Sequence, residues 1–400
     1  MKGAQGVHRI TQVVDPRWCT KRQVFQVHFR AMKLEPFAME RLQSIWENRV
    51  AWNLAESGVH PLRLEELAVG EEDRAALFGQ ELGYTQTNGT PELRAAIASM
   101  YPDAHPEHIE VTNGGSEANC IALWHLLEPG DEVVMMLPNY MQMRGLARGL
   151  GAVVRAWPLV EDETKWRADL EALDALVSPA TKLILICNPN NPTGARFTAP
   201  ELNEICRIAS RVGAWIVSDE IYRGAELDSI ETPTIWGRYE RAIVTSGLSK
   251  AFGLPGLRIG WVVAPPELIE ELWGVHDYTS IAPGALNDRL ARVALARRDY
   301  ILARTRGIVA ANYPLVRKWI EKRPALAHVA PEAGAIVFVR YRQAVNSTTL
   351  VERLRDEQSV LLVPGDHFEM DGYLRIGFGN HPAYLTSALE LVGEVLDGIA

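Results

Sequence analysis

Long apolar runs are missing from this 400-residue sequence, so nothing in it has the length to cross a bilayer as a helix. Cysteine is scarce. The four thiols, Cys19, Cys120, Cys187 and Cys206, show no C-x-x-C spacing, and none sits at a metal-ligand interval from a histidine. That excludes a disulfide framework, gives no case for a metal, and points to a reducing compartment, the cytoplasm. Basic charge is in deficit too. With 41 Lys and Arg against 50 Asp and Glu, a formal net charge of −9, the chain lacks the electrostatic footprint of a nucleic-acid binder. Internal repeats and low-complexity tracts are also absent. What remains is an ordinary globular composition, 47% apolar, enough for a large α/β unit with a smaller companion.

Residues 1–31 stand apart. They carry six Lys or Arg and one acid, follow no sustained period, and have no secretory apolar core. This arm reads as sequence upstream of a start at Met32, with a basic targeting arm as the other reading. It is left out of the expected fold.

Seven short runs rich in β-branched residues read as strands buried on both faces: 109–112, 132–137, 152–157, 182–187, 214–218, 242–246 and 259–264. Helical stretches lie between most of them. Segment 200–213 has Pro near its start and Gly at its end, the expected polarity of helix punctuation. The alternation predicts an α/β fold with a mostly parallel seven-stranded sheet covered by helices. Only about a dozen residues separate 246 from 259, too few for a crossover helix, so the last strand should run antiparallel. From about residue 299 long helices (299–321, 348–356, 382–396) flank short strands such as 335–341, which predicts a second, α+β domain. The expected division is a large domain of 66–295 and a small one of 32–65 with 296–400.

Each candidate motif follows a strand, at the sheet edge where ligands bind. "VTNGGSEAN" passes through two glycines into a helix opening at Ser116. Free backbone amides and the positive helix end there suit an anion. Taken alone, Gly-Gly-Ser also fits a plain tight turn. It matches neither G-x-x-x-x-G-K-[ST] nor G-x-G-x-x-G, so a nucleotide is not the favoured phosphate carrier. "ICNPNNPTG" is turn chemistry that either ends there or projects Asn191 into the crevice. In "AWIVSDEIYRG", Asp219 suits a helix cap or a partner for a cationic nitrogen, with Tyr222 three residues on. "TSGLSKAFGLPGLRIGW" holds one lysine, Lys250, and one arginine, Arg258, in small apolar surroundings. A surface lysine at a strand end is one reading. The other is an amine kept neutral to form an imine with an aldehyde. A dry pocket and Arg258 nearby are both expected to lower the Lys250 pKa.

In that order and at those intervals, "NPNNPTG", "SDEIYRG" and "SGLSKAFGLPGLRIGW" resemble the class I/II aminotransferases of the fold-type I pyridoxal phosphate (PLP) enzymes. The likeness extends to "YTQTNGTPELRAAIA", "PGDEVVMMLPNY" and "YLRIGFG", and runs from about residue 35 to the C-terminus. The resemblance implies PLP as cofactor. Lys250 would hold it as an imine and later move the substrate's Cα proton. Asp219 would keep the ring nitrogen protonated, Tyr222 and Asn191 would bond the ring oxygen, and Tyr140 would stack on the ring. Gly115, Ser116 and Arg258 would cradle the phosphate. Tyr84 would reach the phosphate in a neighbouring subunit, which implies a homodimer with shared active sites. Arg375 would clamp the substrate α-carboxylate, close to Gly58 and Asn191.

The implied reaction moves an amino group between an L-amino acid and a 2-oxo acid. Two departures stand out. Gly247 occupies a position that is often Ser or Thr in the family, leaving Ser246 or Ser249 to replace the hydroxyl. "WNLAESGVHPLRLEEL" and "VHDYTSIAPGALNDRLA" are similar to the capreomycidine-synthase-like branch, whose members cyclise arginine derivatives by elimination and addition. A PLP-dependent lyase or cyclase on an arginine-like amino acid is therefore the alternative. Glu56 and His60 are the side chains of interest there, unless they only punctuate the chain before a helix near Leu62. No second arginine is assignable to a distal carboxylate, so dicarboxylate specificity has no support. A PLP-binding transcription regulator would need an appended helix-turn-helix, for which residues 1–31 are too short and unpatterned.

Overall fold

Short, apolar, β-branched runs set the centre of the computed structural model, which describes residues 33–68 and 70–399. The basic arm of 1–31 lies outside the described residues. In chain order the strands are β1 (Trp52–Asn53), β2 (Ile109–Thr112), β3 (Glu132–Leu137), β4 (Val153–Glu161), β5 (Trp166–Ala168), β6 (Thr181–Cys187), β7 (Trp215–Asp219), β8 (Ala242–Gly247), β9 (Gly260–Val263), β10 (Leu326–His328), β11 (Ile336–Tyr341), β12 (Val360–Leu361), β13 (Val363–Pro364) and β14 (Tyr373–Gly377). Strands β2 to β9 make one sheet in the order β2-β9-β8-β7-β6-β3-β4-β5. The ladders joining β4, β3, β6, β7 and β8 are parallel. As the short connection requires, β9 runs antiparallel to both β8 and β2.

The sheet has eight strands, not the expected seven. The addition is β5, which returns antiparallel on β4. β4 itself runs on to Glu161, past Pro158. Asp162 makes the turn between them, its Oδ1 accepting from the backbone N–H of Thr164 and Lys165. Three residues at a sheet edge leave no apolar run to read, which is why the sequence pattern missed β5.

Continuous hydrophobicity along the central strands has a direct cause: both faces are covered. Along β6, Leu183 and Leu185 pack into one apolar cluster and Ile184 and Ile186 into the other. The helix Ala199–Ser210 shows how the connections are punctuated. Thr198 and Glu201 form a capping box, Pro200 sits in the first turn, and the chain leaves through Gly213 at φ 70°.

Four of the remaining strands form a smaller antiparallel sheet in the order β10-β11-β14-β13. Val337, Val339, Leu374 and Ile376 bury its inner face against Leu350, Leu354, Leu385 and Val392 of the late helices. The parallel bridge β1–β12 ties the chain near residue 52 into this part of the fold. No described helix is long and apolar enough to cross a membrane.

Candidate active site

The strand register brings the motif residues to one edge. Cys187 pairs with Asp219, Asp219 with Thr245, and Gly260 stands opposite both Gly247 and Thr112. Beyond that edge lies a cavity of about 280 Å³. Gly115, Ser116, Tyr140, Asn191, Asp219, Tyr222, Lys250, Arg258 and Arg375 all line it. Tyr84 does not: it stands 87% exposed. Gly58 packs beside the cavity, where a Cβ would lie 3.4 Å from the Ser249 carbonyl and 3.6 Å from the Lys250 Cα.

Asp219, the last residue of β7, is 6% exposed. Its Oδ2 accepts from Asn119 Nδ2 at 3.1 Å and its Oδ1 from the Ile221 amide at 3.1 Å. Thr245 Oγ1 in turn donates to Asn119 Oδ1 at 2.6 Å, which fixes the amide's orientation. Burial raises the Asp219 pKa, and these donors only partly offset it. Among the described residues no cationic side chain forms an ion pair with it. The sequence reading missed Asn119, although it lies inside the quoted "GGSEAN". It faces the carboxylate from the first turns of the helix Gly115–Leu126.

Lys250 Nζ donates to Glu56 Oε1 at 2.8 Å. The same oxygen accepts the amides of Ser57 at 2.9 Å and Gly58 at 2.8 Å. Burial opposes the lysine's charge, but the Glu56 carboxylate outweighs it, and the Lys250 pKa is raised. The expected lowering is therefore overturned: a carboxylate, not Arg258, is the near neighbour. Burial likewise opposes ionisation of Glu56, yet the Lys250 charge and the backbone amides draw its pKa down to about 2. Glu56→Gln removes the stabilising charge and leaves more of the amine neutral at any given pH. The rate at which the apo protein captures an aldehyde, followed by absorbance, should then rise about tenfold at neutral pH, with its pH profile moved to lower pH.

The anion cradle is built from close backbone approaches. Gly114, at φ 99°, precedes the helix Gly115–Leu126, and a Cβ there would collide with the Arg258 guanidinium. A Cβ on Gly260 would collide with the Gly114–Gly115 peptide. The first amides of that helix have no intrahelical acceptor. Arg258 takes the left-handed conformation at φ 47°, at a cost of about 1 kcal/mol. That aims its guanidinium at the carbonyls of Pro255 (3.1 Å) and Asn113 (3.4 Å) and at Ser249 Oγ (3.5 Å).

Gly247 has no room for a hydroxyl. A Cβ there would lie 2.8 Å from the Ile259 carbonyl oxygen and 3.0 Å from the Gly260 Cα. Ser249 lines the cavity, whereas Ser246 turns away to donate to the Glu220 carbonyl. Gly247→Ser should therefore destabilise the fold by about 1–3 kcal/mol through overpacking, measured as a fall in denaturation midpoint.

Arg375, on β14, is 1% exposed. It donates from Nη1 to Asn191 Oδ1 at 3.0 Å and from Nη2 to the Ala55 carbonyl at 2.5 Å, while Nε has no partner among the described residues. Tyr222 donates to Ser57 Oγ at 2.8 Å, and burial pushes its phenol up to about 12. Tyr140 donates to Glu40 Oε1 at 3.0 Å. His60 faces an adjoining hollow, where Arg304 donates to its Nδ1 at 2.8 Å and it stacks on His381.

These features suit a flat, cationic ring carrying a phosphate. Among the described residues Asp219 is a buried carboxylate without an ion-pair partner, Tyr140 offers an aromatic face in the same cavity, and the glycine cradle beside Arg258 suits an anion. PLP has these properties, so the residues present fit it.

Comparison with known proteins leads the same way. Residues 54–392 match the family described as aminotransferase class I and II. Capreomycidine synthase of Streptomyces vinaceus is 32% identical over 350 residues, 86% of this chain and 89% of that protein. A solved PLP-dependent aminotransferase from Streptococcus suis superposes with a TM-score of 0.87 at 37% identity, covering 92% of this chain and 99% of that one. The solved PLP-dependent cyclase OrfR gives a TM-score of 0.83 at 26% identity, with 92% and 99% covered.

Proposed function

The chain belongs to the class I and II aminotransferases, PLP-dependent enzymes, and from that premise we propose that it moves an amino group between an L-amino acid and a 2-oxo acid. The observation that carries this reading is the meeting of Lys250, Asp219 and Arg375 in one cavity. When bound there, PLP supplies a reactive aldehyde and a ring that withdraws electrons.

The chain's own groups do the rest. Lys250 Nζ would be the amine that holds the cofactor, and as a free amine it would be the base that takes the proton from the substrate Cα and carries it as an ammonium until it is passed to the cofactor's side of the substrate. The Asp219 carboxylate, oriented by Asn119, keeps a proton on the ring nitrogen. Arg258 and the amides of Gly115 and Ser116 hold the phosphate. Tyr222 and Asn191 donate to the ring oxygen, and Tyr140 covers the ring. Arg375 binds the α-carboxylate, and because Asn191 and the Ala55 carbonyl fix its guanidinium, the substrate's Cα–H is presented in one orientation.

A homodimer is part of the reading. Phe78, Leu82, Tyr84 and Tyr278 stand 92%, 79%, 87% and 84% exposed. Their two segments are joined by bonds from Thr85 to the Pro283 carbonyl and from Arg289 to Gln80. A second copy covering this face accounts for the exposure and brings Tyr84 to the partner's phosphate site. Residues 66–295 would act as the cofactor-binding domain and 32–65 with 296–400 as the small one. The described cysteines Cys120, Cys187 and Cys206 are free, in keeping with the cytoplasm.

One observation favours a second reading, elimination and ring closure on an arginine-like amino acid. Three carboxylates, Glu40, Glu47 and Glu56, line the cavity. Burial, then repulsion from Glu56 and Glu40, raises the Glu47 pKa. Such a wall suits a cationic side chain. The test is to add a panel of amino acids, arginine and aspartate included, to the purified holoprotein. Conversion of the cofactor to its pyridoxamine form with release of a 2-oxo acid supports transamination. Product without any amino acceptor supports the second reading. Failure of every amino acid to change the spectrum would overturn both.

A further inference from the structure

One buried charge cluster takes no part in the chemistry above. His276 is 0% exposed at the end of the helix Pro266–His276. Its Nδ1 lies 2.7 Å from Glu110 Oε1 on β2, and its Nε2 lies 3.4 Å from Glu117 Oε2 and 3.1 Å from Ser280 Oγ. Ser280 Oγ donates to Glu117 Oε1 at 2.7 Å. Burying such a group costs free energy, and an apolar replacement is often as stable. A buried cluster that an apolar one could replace invites the question of what its charges do.

Its outlet is Asn113, the residue between β2 and Gly114. The Asn113 amide donates to Glu117 Oε2 at 2.6 Å, and its side-chain Nδ2 donates to Ser280 Oγ at 2.5 Å and to the Ala282 carbonyl at 3.1 Å. Its carbonyl accepts from Arg258. Glu117 thus fixes the turn that shapes the anion cradle. It also places a carboxylate in the first turn of the helix Gly115–Leu126, whose leading residues Gly115 and Ser116 line the cavity with Arg258. An uncompensated negative charge there repels a phosphate.

We propose that His276 is a positioning residue that supplies the counter-charge to Glu117, so that the carboxylate can hold the Asn113 turn without repelling the cofactor's phosphate. The inference rests on the PLP reading. Charge on His276 is consistent with its site: burial opposes it, but Glu110 and Glu117 raise its pKa to about 9. Glu110 is itself pushed by burial up to about 7, so the lasting negative partner is Glu117, drawn down to about 2 against its own burial by His276 and neighbouring donors. Arg94 is the further cation acting on Glu110, and Arg258 lies on the far side of Asn113.

The test compares PLP with pyridoxal, which lacks the phosphate, by quenching of tryptophan fluorescence. In H276Q, PLP affinity should fall about tenfold while pyridoxal affinity changes less than about twofold. Adding E117Q to that background should restore most of the loss. E117Q alone, a conservative change at a partly exposed site, should bind PLP more tightly than the parent, which keeps the proposal open to test if H276Q does not fold. Equal losses for both ligands, no recovery in the double variant, or weaker PLP binding in E117Q would each overturn it. If the unmodified protein bound neither ligand, the cofactor reading itself would fail, a result distinct from all of these.

Discussion

Lys250→Ala should lose at least about four orders of magnitude in turnover, because one substitution removes both the covalent hold on the cofactor and the base that moves the Cα proton. The fold should survive it. The Lys250 and Glu56 side chains are 25% and 42% exposed, so their ion pair is partly screened by water. Glu56 keeps the amides of Ser57 and Gly58 as donors, so its carboxylate is not stranded. The denaturation midpoint should therefore move by only a few degrees. Borohydride reduction of the unmodified holoprotein, followed by peptide mass mapping, should find one pyridoxyl group, on Lys250. The same treatment should leave the variant unlabelled. A label elsewhere in the parent, or turnover in the variant within tenfold of it, would sink the assignment.

What could be read from the chain ahead of the structure follows from how each feature is encoded. β6 and the helix Ala199–Ser210 were legible because burial on both faces and the punctuation by Pro200 and Gly213 leave local patterns. The gathering of motif residues around one cavity was legible because their motifs sit where strands stop. Asn119 was not, since nothing local distinguishes a helix residue that faces a carboxylate a hundred positions away. The Lys250–Glu56 pair spans 194 positions, and missing it reversed the expected direction of the lysine's pKa. Glu56 was noticed, but its partner depends on how β1 and its following loop lie over β8's exit. Gly247 looked like a lost hydroxyl. Only the approach of the Ile259–Gly260 backbone explains why no side chain fits. Contacts between segments decide such points, and one sequence carries no direct trace of them.

Asp219→Asn should cost about 10²- to 10³-fold in turnover, the usual scale for losing one preorganised electrostatic partner in a dry site. The amide keeps the carboxylate's shape. If the Asn119 amide turns over, with Thr245 rotating its hydroxyl, these two bonds re-form with donors and acceptors exchanged, at the expense of the 3.2 Å bond from Asn119 to Gln142 Oε1. The main loss is the charge, and with it the reason for the ring nitrogen to stay protonated. Apo stability should respond in the opposite direction. Burial raises the Asp219 pKa in the folded chain above its unfolded value of about 3.9. A raised carboxyl favours folding fully only below that unfolded value, and the contribution is lost as pH rises through the folded one. At neutral pH the ionised group is therefore a cost that the native apo protein carries and the asparagine variant does not. Thermal melts of the two apo proteins should show the variant equal or more stable at pH 7, with its advantage shrinking as pH falls toward 4. Parent protein that is more stable at pH 7, or a variant that keeps full turnover, would mean that Asp219 is bound up in the fold rather than held ready for a cationic ring.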